Sequence, residues 1–161
     1  MIPIAKPFIG DEEKKAVLDV LSSGMLVQGP KVQELEKAFA TYCGVKHAIA
    51  VSNGTAALHV ALKALGIGHG DEVIMTPFTF VASANAILMA GAIPVFADID
   101  EQTFNISPTD VEKKITRKTK AILAVDLYGL PADYTLLREI AAKHKLKIVA
   151  DACQSVGAEQ N

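Results

Sequence analysis

The chain has 161 residues, half of them apolar and 21% charged, a composition that suits a folded globular chain able to bury a sizeable core. Its 16 Lys and Arg against 18 Asp and Glu leave a formal charge of −2, which gives no electrostatic case for nucleic acid or an anionic membrane as partner. Cys43 and Cys153 stand in no CxxC or Cys/His spacing, so neither a disulfide framework nor a metal site is indicated. With no signal-peptide pattern at the start, a reducing cytoplasm is the expected location.

The first third reads as helical. Asp11 is placed to cap a helix running to about Leu21, with Glu12 and Glu13 near its positive end and Val17, Leu18 and Leu21 on one apolar stripe. Gly24 to Pro30 forms a loop whose proline suits a first helical turn. Val32, Leu35, Phe39 and Tyr42 then recur at helical spacing, and Gly44 can end that helix.

From His47 the pattern changes. Short apolar runs at 48–52, 72–75, 94–97, 121–125 and 147–150 predict strands. Helix-forming stretches follow the first four, at 56–65, around 80–90, near 110–115 and at 134–144. The span Val73 to Ala97 carries no charge and is long enough to cross a bilayer, but Thr76, Pro77, Thr79, Ser83, Asn85, Gly91 and Pro94 interrupt it. It reads better as strand, helix and strand. The alternation predicts an α/β fold with a mostly parallel sheet, flanking helices and ligands near the carboxyl ends of the strands.

Three stretches fall at that functional edge. Ser52-Asn53-Gly54-Thr55 enters a helix, where unpaired N–H groups and the helix dipole make an anion site of phosphate size, or an ordinary cap. Thr76-Pro77-Phe78-Thr79-Phe80 holds two rings, either of which could stack on a planar ligand or pack into the core. Asp151-Ala152-Cys153-Gln154 puts a carboxylate at the end of a buried strand, where it costs free energy unless it faces a cation or several donors. Asp126 poses the same question more weakly.

Taken in order, "GPKVQELEKAFATYCGVKHAIAVSNGTAALHVALKAL", "DEVIMTPFTFVASANAILMAGAIPVFADID", "DLYGLPAD" and "ADACQSVGAE" resemble the sugar aminotransferases of the DegT/DnrJ/EryC1/StrS group. That resemblance implies the large domain of an aspartate-aminotransferase type I fold and pyridoxal 5'-phosphate as cofactor. Gly54 and Thr55 would hold the cofactor phosphate, Phe80 would stack on the ring, Asp151 would pair with the protonated pyridine nitrogen, and Gln154 would lie near the 3' oxygen. The Gly24 to Pro30 loop resembles one that borders the active site. The implied reaction moves an amino group, typically from glutamate, to a keto group of a nucleotide-linked sugar in polysaccharide biosynthesis, and the intact protein would be a homodimer. Many relatives carry His where this chain has Asp126. Cys153, where relatives have a small residue, reads as buried and inert.

The resemblance also implies what is missing. The family's Schiff-base lysine lies beyond the "DACQ" stretch, and Lys6, Lys31, Lys46, Lys63, Lys113, Lys120 and Lys147 match no such context. The expectation is therefore a helical segment 1–45 and a truncated cofactor-binding domain 46–161, with no catalytic residue for that step and no activity alone. The first strand, Ala48 to Ser52, would stand apart from the other four, because its family partner comes later. Two other readings remain: a sugar dehydratase relative that has histidine for the lysine, or a non-enzymatic binding fragment.

Overall fold

The computed structural model describes residues 6–160, so the expected segments 1–45 and 46–161 extend at 1–5 and at 161 outside the described residues. The chain divides into two compact units, one ending at Ala50 and the other beginning at Val51.

In the first unit, helix α1 (Asp11–Ser23) starts one residue away from the cap expected from sequence: Gly10 is the N-cap and Asp11 is already helical. From the first turn Asp11 reaches Lys14 (3.1 Å), while Glu13 Oε2 accepts from the Gly10 N–H at 2.7 Å. The acidic first turn still complements the helix dipole. Gly24, at φ 70, ends α1 in a left-handed turn that a residue with a Cβ would disfavour. Helix α2 (Pro30–Tyr42) has Pro30 in its first turn, as expected. Val17, Leu18 and Leu21 share a face but remain exposed.

The second unit alternates helix and strand: α3 (Gly54–Ala64), β1 (Glu72–Met75), α4 (Ala82–Met89), β2 (Ile93–Phe96), α5 (Pro108–Lys114), β3 (Thr119–Val125), α6 (Tyr134–His144) and β4 (Lys147–Asp151). The uncharged span Val73 to Ala97 is strand, helix and strand, as expected. Among the described residues no helix is long and apolar enough to cross a membrane. The sheet has the order β2-β1-β3-β4 with every neighbouring pair parallel.

Among the described residues four strands form, where the sequence pattern predicts five. Ala48 to Ser52 has no ladder partner among the described residues, so its backbone groups cannot pair in a sheet. The Ala50 N–H donates to the Glu36 carboxylate instead (2.9 Å).

Alternation along the strands builds two cores. Val73 and Met75 of β1, with Ala121, Leu123 and Val125 of β3, meet Leu58 and Leu62 of α3 and Ile87 of α4 on one face. Ile74, Ile122 and Ala124 point the other way, to Val111 of α5 and Leu137 of α6. Each fully buried Leu or Ile stabilises the fold by about 1.5–3 kcal/mol relative to its exposure. Because both faces are covered, the central strands read as continuous apolar runs. The connection out of β1 leads to β2 on one side and the connection out of its other neighbour β3 leads to β4 on the opposite side, so a crevice opens beyond the carboxyl ends of β1 and β3.

Candidate functional site

In that crevice lies a cleft of about 300 Å³. Gly54 and Thr55 reach it from the start of α3, Phe80 from the loop after β1, Asp151 from the end of β4, and Gln154 from the turn beyond. All five residues singled out from the sequence therefore meet at one place, although they come from three separate stretches.

The start of α3 serves as both cap and open donor site. Asn53 Oδ1 accepts from the Ala56 N–H at 2.9 Å, and Asn53 O accepts from the Ala57 N–H at 3.1 Å. The N–H groups of Gly54 and Thr55, which a helix leaves unpaired, meet no acceptor among the described residues and can serve an anion, and half-buried Thr55 adds a hydroxyl. A Cβ on Gly54 would stand 3.0 Å from Cys153 Sγ, so the missing side chain keeps this corner open.

The two rings of the β1–α4 loop separate into different roles. Phe78 packs against Phe104 with ring centroids 5.9 Å apart. Phe80 is 73% exposed and lines the cleft, leaving its face for a planar ligand.

Asp151 is only 8% exposed. Its Oδ2 accepts from Ser83 Oγ at 2.8 Å; Oδ1 has a long 3.4 Å contact from the Cys153 N–H, and the weakly donating Cys153 thiol also bonds the carboxylate. Among the described residues no Lys, Arg or His pairs with it, and no lysine lines the cleft. A buried carboxylate with one strong donor and an open side suits a cationic ligand. Gln154 Oε1 accepts from the Tyr128 N–H at 2.9 Å, which fixes the amide and leaves its Nε2 as a donor. Tyr128 sits at φ 53, within a tight turn at Leu127–Gly129.

Sequence reasoning missed Ser83. In the sequence it is only a hydroxyl interrupting an apolar run, yet it bonds a residue 68 positions away. Asp126, by contrast, is answered by its own neighbours: Oδ1 accepts from the Ala132 N–H (3.0 Å) and Tyr134 OH (2.7 Å), and Oδ2 from Ser155 Oγ (3.1 Å).

Cys153 is exposed, not buried as expected, because the turn after β4 carries it out to the cleft wall. A hydrogen bond to Asp151, together with partial burial, holds its thiol above the ordinary value and disfavours the thiolate. Alkylation of Cys153 by iodoacetamide should therefore be slower at pH 7.5 than that of a small free thiol, and Asp151→Asn should speed it. Equal rates in both proteins would show that Asp151 does not control the thiol.

A sequence profile of the DegT/DnrJ/EryC1/StrS aminotransferase family matches residues 7–161. The spore coat polysaccharide biosynthesis protein SpsC of Bacillus subtilis (strain 168) is 49% identical over 155 residues, covering 96% of this chain and 40% of that protein. The GDP-perosamine synthase of Vibrio cholerae is 43% identical over 162 residues, covering 100% of this chain and 44% of that one. The crystal structure of NtdA from Bacillus subtilis with bound cofactor PMP is similar at a TM-score of 0.86 and 41% identity, over 92% of this chain and 35% of that chain. The chain thus spans 40% and 44% of the length of these two curated relatives.

Proposed function

The chain belongs to the DegT/DnrJ/EryC1/StrS aminotransferase family, and from that premise we propose that it serves the pyridoxal-phosphate-dependent transfer of an amino group to a nucleotide-linked sugar. The donor in this reading is an amino acid, glutamate first, and the acceptor is a keto group of the sugar. The observation that carries the reading is the meeting of three features in one cleft: an open helix N-terminus, an exposed aromatic face and a buried carboxylate with no cation paired to it among the described residues. A phosphorylated, planar, cationic ring has a partner for each. The PMP-bound relative and the GDP-perosamine synthase, by their names, support the cofactor and the substrate class.

When bound, pyridoxal phosphate supplies an electron sink for the substrate carbon that loses its proton. In this reading the residues of the chain bind and orient it. The Gly54 and Thr55 N–H groups and the Thr55 hydroxyl hold the phosphate. Phe80 covers the ring, Asp151 keeps the ring nitrogen protonated through its negative charge, and Gln154 donates toward the 3' oxygen. These parts belong to the cofactor-binding domain proposed for 46–161. The reading extends to a cytoplasmic homodimer, and to a reaction whose lysine is not among this chain's own.

Pyridoxal phosphate added to the chain should bind saturably. Borohydride reduction and mass spectrometry should then find no single lysine labelled in full, and glutamate should not be consumed. Stoichiometric label on one lysine together with glutamate turnover would overturn the claim of inactivity. A lack of saturable binding would overturn the cofactor reading.

A further inference from the structure

Ser83 lies in the first turn of α4, 1% exposed, in a helix with no charged residue. Its N–H donates to the Phe80 carbonyl at 3.2 Å, and its Oγ donates to Asp151 Oδ2 at 2.8 Å. One residue thus ties the segment that carries the exposed ring to the buried carboxylate. Thr79 Oγ1 lies 3.3 Å from Ser83 Oγ. An ionised carboxylate only accepts, so the single proton of Ser83 goes to Asp151, and Thr79 must donate to Ser83. The bonds therefore run in one direction, Thr79 to Ser83 to Asp151. They end on one oxygen of the carboxylate and leave the other facing no strong donor among the described residues.

We propose that Ser83 is a positioning residue for Asp151: its hydroxyl, polarised by Thr79, holds the anionic carboxylate in one orientation and keeps the shared proton on the ring of a bound pyridinium. This rests on the cofactor reading above and deepens it. The argument is one of relative basicity. A hydrogen bond donated to a carboxylate stabilises its charge and makes it a poorer base. In a low-dielectric cleft, a carboxylate and a pyridine compete for one proton, and the donor tips that competition toward pyridinium plus carboxylate. Without Ser83 the carboxylate is the stronger base and free to rotate, so the proton moves toward Asp151 and the ring becomes neutral. A neutral ring is the poorer electron sink.

The probe is pyridoxamine 5'-phosphate labelled with ¹⁵N in its ring, which cannot attach to lysine side chains as an aldehyde does. It is titrated onto the wild-type chain and onto S83A, S83T, T79V and D151N, with folding checked by circular dichroism. The ring nitrogen should resonate as pyridinium in the wild type and shift toward neutral pyridine in S83A, with affinity about tenfold lower, the scale of one hydrogen bond to a charged group. S83T, which keeps the hydroxyl, should restore both. T79V should move the resonance the same way by less, and it decides the matter should S83A fail to fold: an unchanged resonance in T79V then counts against the proposal. A folded S83A with wild-type affinity and an unshifted pyridinium signal would overturn the proposal while leaving the cofactor reading intact. Wild-type affinity in D151N, or no binding by the wild-type chain, would bring down the cofactor reading and the proposal with it.

Discussion

Asp151→Asn should weaken the binding of pyridoxamine phosphate by about a hundredfold or more while leaving the cofactor-free chain at least as stable as the wild type. The two effects have one cause. Asp151 is buried with one strong donor and no cation among the described residues, so in the free chain its charge is a cost that one hydrogen bond offsets only in part. Asparagine has the same shape, still accepts from Ser83, and removes that cost. Against a pyridinium the balance reverses, because breaking a buried ion pair from one side costs about 3–5 kcal/mol. Urea unfolding without ligand and fluorescence titration with it read the two quantities separately. A carboxylate kept for the fold would instead lower stability when replaced and leave affinity alone, and that result would remove Asp151 from the binding site.

Much of this arrangement is legible in residue order. Val73, Ile74 and Met75 lie in a run of apolar residues because a central parallel strand is covered on both faces, and that run is what marks β1 in the sequence. The five site residues can be gathered because three of the stretches that follow strands or open helices end at the same edge of the sheet. The rest depends on spacing in three dimensions. Nothing local to Ser83 points to Asp151, and a serine in an apolar helix carries no signature of its partner. The choice between Phe78 and Phe80 needs the position of Phe104, whose ring occupies the first and not the second. Ala48 to Ser52 has the composition of a strand, but a strand is defined by its neighbour, and none stands beside it among the described residues. Cys153 reads as buried because relatives carry a small residue there; the turn that begins at Ala152 instead brings it to the surface.

Asp126→Ala should destabilise the chain by about 3–5 kcal/mol, the largest loss expected from any single polar truncation near the cleft. Asp126 is 6% exposed, and its three donors come from three places: the loop at Ala132, the start of α6 at Tyr134, and the turn after β4 at Ser155. Its own N–H donates to Asp151 O at 3.1 Å, continuing the pairing of β3 with β4. Alanine would strand an N–H and two hydroxyls, each worth about 1–3 kcal/mol when left unsatisfied. Asparagine keeps one oxygen for Ala132 and Tyr134 and can donate to Ser155, so Asp126→Asn should cost much less, about 1–2 kcal/mol. The contrast separates a hydrogen-bonding role from a charge role in urea unfolding; equal losses would assign the effect to charge. Tyr134 adds a pH signature. Burial, and then its bond to Asp126, hold the phenol well above its ordinary value in the folded chain. The neutral phenol is thus favoured by folding: its contribution is fully present below the unfolded value of about 10 and is lost as pH rises beyond it toward the raised folded value. Tyr134→Phe should flatten that alkaline decline. A decline that persists unchanged in the variant would place its origin in groups other than Tyr134.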